Sequence, residues 1–515
     1  MLAPFFQSLS NRYLGGLPAD RVQVMACLLL AYPLAHGFRQ LPVDRPALKH
    51  TFSLAATAFL FLVVQGQWIG MVHILASTLA TYGLVSTIGS SVWGPRAVFI
   101  LTMAHLSLTH IHRLGYDIDN PPLDHSGAQM MLVIKLTSFA YSVYDGHCLA
   151  RERRENGAAT EQKAGPPSVL SARQRSRAVL PGEWPSLLEF GGYVFFFGSF
   201  FVGPAFEFAD YREFISLRVF RPAGAQANPA EPPVIPDSRP AAYRKLLSGL
   251  LPLLGVLFLA PQFPARRLLS AQYAALGLPT RIGYILATCF ATRLPFYVAW
   301  LTAEGSCILA GLGFEGYIEG SATSAGKVRG WNALTNVHPL RYETAQNIKE
   351  LLDAWNLATN RWLKNYVFLR LTPPGTKPTL ATTLATFLVS ALWHGFFPGY
   401  YLSFITVAVM ASVARTLRRS LRPIFVRPDG GSVTSGRRRA YDIAGWAITT
   451  FSVHYAVTPF VLLYWHESLY VWRVNYYLGH VGLVAFILFF QLGGGRWLRQ
   501  FHYGAPAMAT KPHQA

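Results

Sequence analysis

Long apolar stretches recur along this chain from one end to the other, and they leave few folds open to it. Val22–Phe38, Phe52–Val64, Trp68–Ile88, Ala97–Thr109, Met130–Tyr144, Leu187–Val202, Leu246–Ala260, Ile282–Leu301, Leu380–Leu392, Tyr400–Val413, Ile443–Tyr464 and Val471–Leu492 each carry at most one charged side chain. A helix that crosses a bilayer needs about 20 predominantly apolar residues. Several of these stretches are shorter, or hold Pro, Gly or His, and such broken segments persist at membrane depth only where protein or a cavity surrounds them. Charged residues make up 14% of the chain and hydrophobic ones 52%, where a soluble protein carries roughly 25% charged residues. The expected fold is an all-α polytopic integral membrane protein. It is read as one membrane domain over residues 1–515, with roughly 9–12 transmembrane or re-entrant helices.

Polar interruptions at 151–185, 221–244 and 415–439 read as flexible loops, rich in Pro, Gly, Ala or Arg. Much of the formal charge of +20 sits in the first and third of them. Positive loops favour the cytosolic side of a membrane, where they face anionic headgroups. Nucleic acid is the other usual partner of a basic chain, but no soluble domain remains to bind it. The run after Arg21 ends in "LAHGFRQLP", a poor cleavage site, so Val22–Phe38 is read as a retained first helix. Cys27, Cys148, Cys289 and Cys307 are scattered without CxxC spacing and read as small core residues. No internal repeat of the kind many transporters show is present.

Two segments stand apart. "RYETAQNIKELLDAWNLATNRWLKNYVFLRL", Arg341–Leu371, has no Gly or Pro and is rich in helix formers. It is too polar for a lipid-facing span and too apolar for a solvated helix. The 4, 3 and 4 spacing of Trp355, Thr359, Trp362 and Tyr366 puts them on one face of an expected helix. That helix either lies on the membrane surface or is tucked beside a binding tunnel. In the second segment, "SALWHGFFPGYYLSF", Ser390–Phe404, His394 sits in an apolar, aromatic setting. It is either a satisfied core group or a group that handles a proton where water is scarce.

"WNLATNRWLKNYVFLR" followed by "SALWHGFFPGYY" resembles the membrane-bound O-acyltransferase family, in its lysophospholipid acyltransferase branch. "DHSGAQMMLVIKLTSFAYSVYDG", "PSLLEFGGYVFFFGSFFVGPAFEFADY" and "SVHYAVTPFVLLYWHESLYVWRVNYYLGH" resemble other parts of that branch, in order, so the likeness covers nearly the whole chain. It implies a helical bundle around a catalytic tunnel, with His394 as catalytic histidine and Asn356, 38 residues earlier, as its partner. The chemistry agrees. Passing an acyl group from a thioester to an alcohol removes the hydroxyl proton as the bond forms, a task suited to histidine, and burial favours the neutral imidazole that can accept it. Asn356 takes no proton; it either orients the imidazole or donates to the thioester oxygen.

The implied substrates are acyl-CoA and a lysophospholipid, acylated at its free, sn-2 hydroxyl in phospholipid remodelling. The implied location is the endoplasmic reticulum membrane, among membrane lipids, with no metal and no permanently bound cofactor. Coenzyme A brings phosphates and an adenine, which ask for cations and an aromatic surface. Arg361, Lys364, Tyr366 and Arg370 are the candidates, their other use being to snorkel toward lipid phosphates. The "GPAFEF" segment and the Phe195–Phe201 run each have two readings, tunnel lining and packed core. Alternatives are another acceptor within the family (a sterol, diacylglycerol or a protein) and a polytopic transporter. "HRLGYD" offers His112 and Asp117 at H-x4-D spacing, as in soluble-lobed glycerolipid acyltransferases, but the companion motifs are missing. His105, His110, His112 and His125 lack the repeated boxes of a histidine metal centre.

Overall fold

The computed structural model describes residues 2–116, 124–158, 170–221, 233–318, 327–372, 375–426 and 435–502. Among them the secondary structure is helical, with one isolated bridge between Tyr317 and Val328. The long helices are α1 (Ala19–Arg39), α2 (Pro46–Val64), α3 (Trp68–Ile88), α4 (Trp93–Arg113), α5 (Ser126–Ala158), α6 (Arg239–Phe258) and α7 (Leu278–Ala310). A short α8 (Leu357–Trp362) precedes α9 (Leu380–His394), α10 (Pro398–Phe425), α11 (Ser435–Leu462), α12 (Trp465–Val474) and α13 (Leu478–Gln491). Among the described residues six helices are long and apolar enough to cross a membrane, or seven if α12 and α13, bent by 74°, form one broken span. The other apolar stretches are shorter, as in the 15 residues of α9, or carry buried polar groups, as in α5. The chain is an integral membrane protein.

Three expectations change. Leu187–Val202 is no span: helix stops at Val194 and the chain turns through Phe195–Val202. A uniformly apolar run carries no period to separate span from packed turn. Phe195, Phe196, Phe197, Phe200 and Phe201 are all buried in the largest core cluster, against Phe38, Phe52 and Phe61, which favours packed core for that run. The interruption at 151–185 holds the end of α5 and a short helix Ala172–Arg177, started by a Ser171–Gln174 capping box. The interruptions at 221–244 and 415–439 hold the start of α6, the end of α10 and the start of α11. Residues 159–169, 222–232 and 427–434 of these interruptions lie outside the described residues.

Arg341–Leu371, expected as one helix, is broken into Pro339–Glu343, Ile348–Leu352, α8, a π-helical turn Leu363–Phe368 and Leu369–Leu371. The break before α8 falls at Asn356, whose backbone is left-handed (φ 44°, ψ 56°). Asparagine reaches that region more readily than other non-glycine residues. Trp355 is therefore on no common face with Thr359, Trp362 and Tyr366; it packs on Phe296, Tyr297, Trp300 and Tyr342. From α8 onward the segment is tucked into the protein rather than laid on its surface: Ala358, Thr359, Trp362, Leu363, Tyr366 and Val367 are buried.

That segment runs parallel to α5 in four-residue steps. Trp362 Nε1 donates to Thr137 Oγ1 at 2.9 Å, Tyr366 packs on Tyr141 at 5.6 Å between ring centroids, and Arg370 forms a two-pronged ion pair with Asp145 at 2.9 and 2.6 Å. On the next face of α5, Lys135 is buried. Its ammonium donates to the carbonyls of Tyr193 (2.9 Å) and Val194 (3.3 Å) and to Ser199 Oγ (3.2 Å), above the ring of Phe206. A cation thus satisfies the last carbonyls of helix Leu187–Val194 where the chain leaves the helix, in a buried setting where unpaired carbonyls are costly. Lys135→Met is expected to cost about 2 kcal/mol through orphaned carbonyls. It should lower the apparent melting temperature of detergent-purified protein by several degrees, while the solvent-exposed Lys364→Met leaves it unchanged.

Candidate active site

The sequence around His394 is explained residue by residue. Helix α9 ends at His394 because Gly395 has φ 127°, a region open to glycine and strained for side chains. A Cβ at Gly395 would also sit 3.3 Å from the ring of His110 and 3.5 Å from Tyr400. Pro398 then opens α10 at its first turn. Gly399 lets α10 meet α11 closely: a Cβ there would lie 2.0 Å from the Pro459 carbonyl, and its N–H donates to Leu463 O at 2.7 Å. The last carbonyls of α9 are satisfied by Gly395 N–H and by His110 Nε2–H, which donates to Trp393 O at 3.0 Å.

His394 is half-buried, with Trp393, Tyr400, Phe404 and Phe460 around its ring at centroid distances of 4.8, 5.7, 5.3 and 5.0 Å. The buried histidines His50, His110 and His454 each hydrogen-bond a partner, respectively Tyr211, the Trp393 carbonyl, and Thr450 O with Arg293. Among the described residues His394 makes no such bond. A satisfied core histidine is not what the structure contains at this position.

Asn356 lies just before α8, and its side chain does not cap that helix. No hydrogen bond joins Asn356 to His394 among the described residues. Contacts of neighbouring residues with α5 relate the two segments, and the ring centroids of Trp393 and Trp362 lie 6.2 Å apart. Trp393 Nε1 donates to Met130 O at 3.0 Å, and Met130 is seven residues before Thr137 on α5, about 10 Å at 1.5 Å per residue. Asn356 is six residues before Trp362, the partner of Thr137, hence about 9 Å back in the same direction. The hydrophobic cluster around Trp355 also takes in Phe387 and Leu402, from the α9–α10 hairpin that carries His394.

Lys364, Tyr366 and Arg370 come together with Arg173, Gln174 and Arg177 around a recess of about 150 Å³. Arg361 does not line it. It borders a neighbouring cavity of about 340 Å³, which shares Arg177 and is otherwise lined by Ile134, Phe206, Leu312, Trp362 and the carboxylates Glu207, Asp210 and Glu213. Lys364 is exposed. Tyr366 and Arg370 are engaged within the protein: Tyr366 OH donates to Glu207 Oε2 at 2.8 Å and Arg370 holds Asp145. Free donors remain, since Arg370 Nε, Asn365 Nδ2 and Arg361 Nη2 are buried and lack hydrogen-bond partners. Arg177 donates to Glu207 Oε1 at 2.6 Å. Burial raises the Glu207 carboxyl above its usual range, and the Arg177 guanidinium opposes that.

Sequence reasoning missed Arg173 and Arg177, while Ala205, Phe206 and Glu207 of "GPAFEF" line the larger cavity. Nothing local named Arg177 as the partner of Glu207. The other histidine readings find little support. His112 hydrogen-bonds Tyr116 OH at 2.9 Å and Asp117 lies outside the described residues. His73, His105 and Ser77 form a hydrogen-bonded chain, but among the described residues no three metal-binding side chains converge.

Residues 67–458 match MBOAT, the membrane-bound O-acyltransferase family. A Schizosaccharomyces pombe protein named lysophospholipid acyltransferase is 36% identical over 476 residues, 92% of this chain and 87% of that protein. A Saccharomyces cerevisiae protein of the same name is 35% identical over 486 residues, 92% of this chain and 74% of that one. A Mus musculus protein, membrane-bound glycerophospholipid O-acyltransferase 1, is 31% identical over 483 residues, covering 92% and 90%. With the family pattern spanning most of its length and relatives alike nearly end to end, the chain belongs to the membrane-bound O-acyltransferase family.

Proposed function

We propose that the protein transfers a fatty acyl group from acyl-CoA to the free sn-2 hydroxyl of a lysophospholipid, in phospholipid remodelling at the endoplasmic reticulum. The relatives' names supply the acceptor class. The observation that carries the catalytic assignment is His394, an imidazole enclosed by aromatic rings whose nitrogens make no hydrogen bond among the described residues. In the proposed reaction a ring nitrogen takes the hydroxyl proton as the oxygen attacks the thioester carbon. The C–O bond forms, the C–S bond breaks, and the imidazolium returns its proton to the departing thiolate, so no proton is gained or lost overall. General-base help of this kind is worth about 10²–10⁴-fold. Asn356, with no bond to His394, is assigned the second of its two roles, donating its amide N–H to the thioester oxygen as charge builds there.

The cationic recess supports the donor assignment. Asp145 and Met130 are fifteen residues apart on α5, about 22 Å, so the recess beside Arg370 and the level of His394 are far apart along one axis. The larger cavity lies between them, beside Ile134, Ser138 and Trp362. An elongated donor with phosphates at one end and a thioester at the other suits that spacing. Free donors on Arg370, Asn365 and Arg361 suit the phosphates.

The reading is tested by thiol release from oleoyl-CoA with purified protein and a panel of lysophospholipids. Lysolipid-dependent release is expected; release stimulated instead by a sterol or diacylglycerol, or none at all, contradicts it. Arg173→Ala combined with Lys364→Ala is expected to raise KM for oleoyl-CoA about tenfold with kcat nearly unchanged, because phosphate contacts remote from the reacting atoms bind ground and transition states alike. Equal KM values for variant and wild type remove these residues from the donor site.

A further inference from the structure

Asn356 occupies the position before a helix where asparagine ordinarily caps, yet its side chain makes no capping bond. Another residue does that work. Asn336, 2% exposed, accepts Leu357 N–H on its backbone carbonyl at 2.8 Å and Ala358 N–H on its side-chain Oδ1 at 2.9 Å. These are the first two N–H groups of α8, and each would otherwise be an orphan donor in a buried setting. The residue before it, Thr335, donates its hydroxyl to Glu304 Oε1 at 2.6 Å. Glu304, fully buried on α7, is held in turn by Lys245 of α6 at 2.7 Å. A chain of polar contacts thus runs from two long helices through Thr335 and Asn336 to the start of α8.

We infer that Asn336 is a positioning residue for acyl transfer: by capping α8 from outside, it holds Asn356 in its left-handed conformation and leaves the Asn356 amide free for the acyl donor. The inference rests on the reading of Asn356 given above. A left-handed residue at a helix start persists only where its surroundings fix it, and Asn336 bonds the two residues that follow Asn356, Leu357 through its backbone carbonyl and Ala358 through its side chain. Without that outside cap, the Asn356 side chain becomes the nearest acceptor for the same N–H groups, and it is drawn away from the substrate.

The test is steady-state thiol release from oleoyl-CoA with lysophosphatidylcholine and lysophosphatidylethanolamine, using full-length protein checked by gel filtration. Asn336→Ala is expected to lower kcat about tenfold, the kinetic equivalent of a lost cap, with KM for oleoyl-CoA within about twofold. Asn336→Asp keeps the side-chain acceptor at a helix N-terminus that favours negative charge, and should restore most of kcat. In an Asn356→Gly background, which keeps the left-handed backbone but removes the amide, Asn336→Ala should cost nothing further. Wild-type kcat in Asn336→Ala, failure of Asn336→Asp to rescue, or losses that simply add in the double variant each overturn the inference. If Asn336→Ala does not fold, Thr335→Val decides: it frees the segment from Glu304 with Asn336 intact, and a drop in kcat at constant KM is expected, unchanged kcat overturning the proposal. If Asn356→Gly alone turns over like wild type, it is the reading of Asn356 that has failed. If Asn356→Gly is impaired and Asn336→Ala is not, only the positioning role falls.

Discussion

Inside an apolar bundle a polar group that loses water must find its partner within the protein, and the structure around the candidate site is arranged by that requirement. Lys135 closes the end of helix Leu187–Val194, Asn336 closes the start of α8, and Arg370 and Asp145 neutralise each other between α8's continuation and α5. Each of these groups would cost several kcal/mol if left unpaired in such a setting. Each bond also joins segments distant in sequence, so meeting the requirement fixes how the segments stand relative to one another. Among the described residues His394 and the Asn356 amide are left without such partners.

The parallel run of α5 beside α8 and its continuation gives the site its axis. Steps at Thr137–Trp362, Tyr141–Tyr366 and Asp145–Arg370 keep both segments in register over about two turns. The pinning of Trp393 to Met130 then sets the height of the α9–α10 hairpin against the same ruler. Charge is concentrated at one end of this axis and the aromatic enclosure of His394 at the other. The proposed acyl donor, charged at one end and apolar at the other, suits such a separation.

Membrane residence, helical class and the aromatic setting of His394 were legible in the sequence, because apolar stretches and a Gly-Pro-Gly run around one histidine express local physics. The break at Asn356 was not. It depends on Asn336, twenty residues upstream, bonding Leu357 and Ala358, and Arg341–Leu371 contains no Gly or Pro to announce it. Leu187–Val202 failed for the opposite reason: its composition fits a span and a packed turn equally, and the deciding contacts come from Lys135 and Phe38. The pairing of Arg177 with Glu207 joins a basic loop to an aromatic turn, and a sequence names both residues without joining them.

His394 is the group on which acyl transfer is proposed to depend. Turnover of oleoyl-CoA and lysophospholipid should be compared for wild type and His394→Ala, each purified in the same detergent and matched for gel-filtration profile and melting temperature. A loss of kcat of at least about 10²-fold with the fold intact is expected of a general base. A well-folded His394→Ala that turns over at the wild-type rate would contradict the account, and would make the histidine part of the packing it is enclosed by.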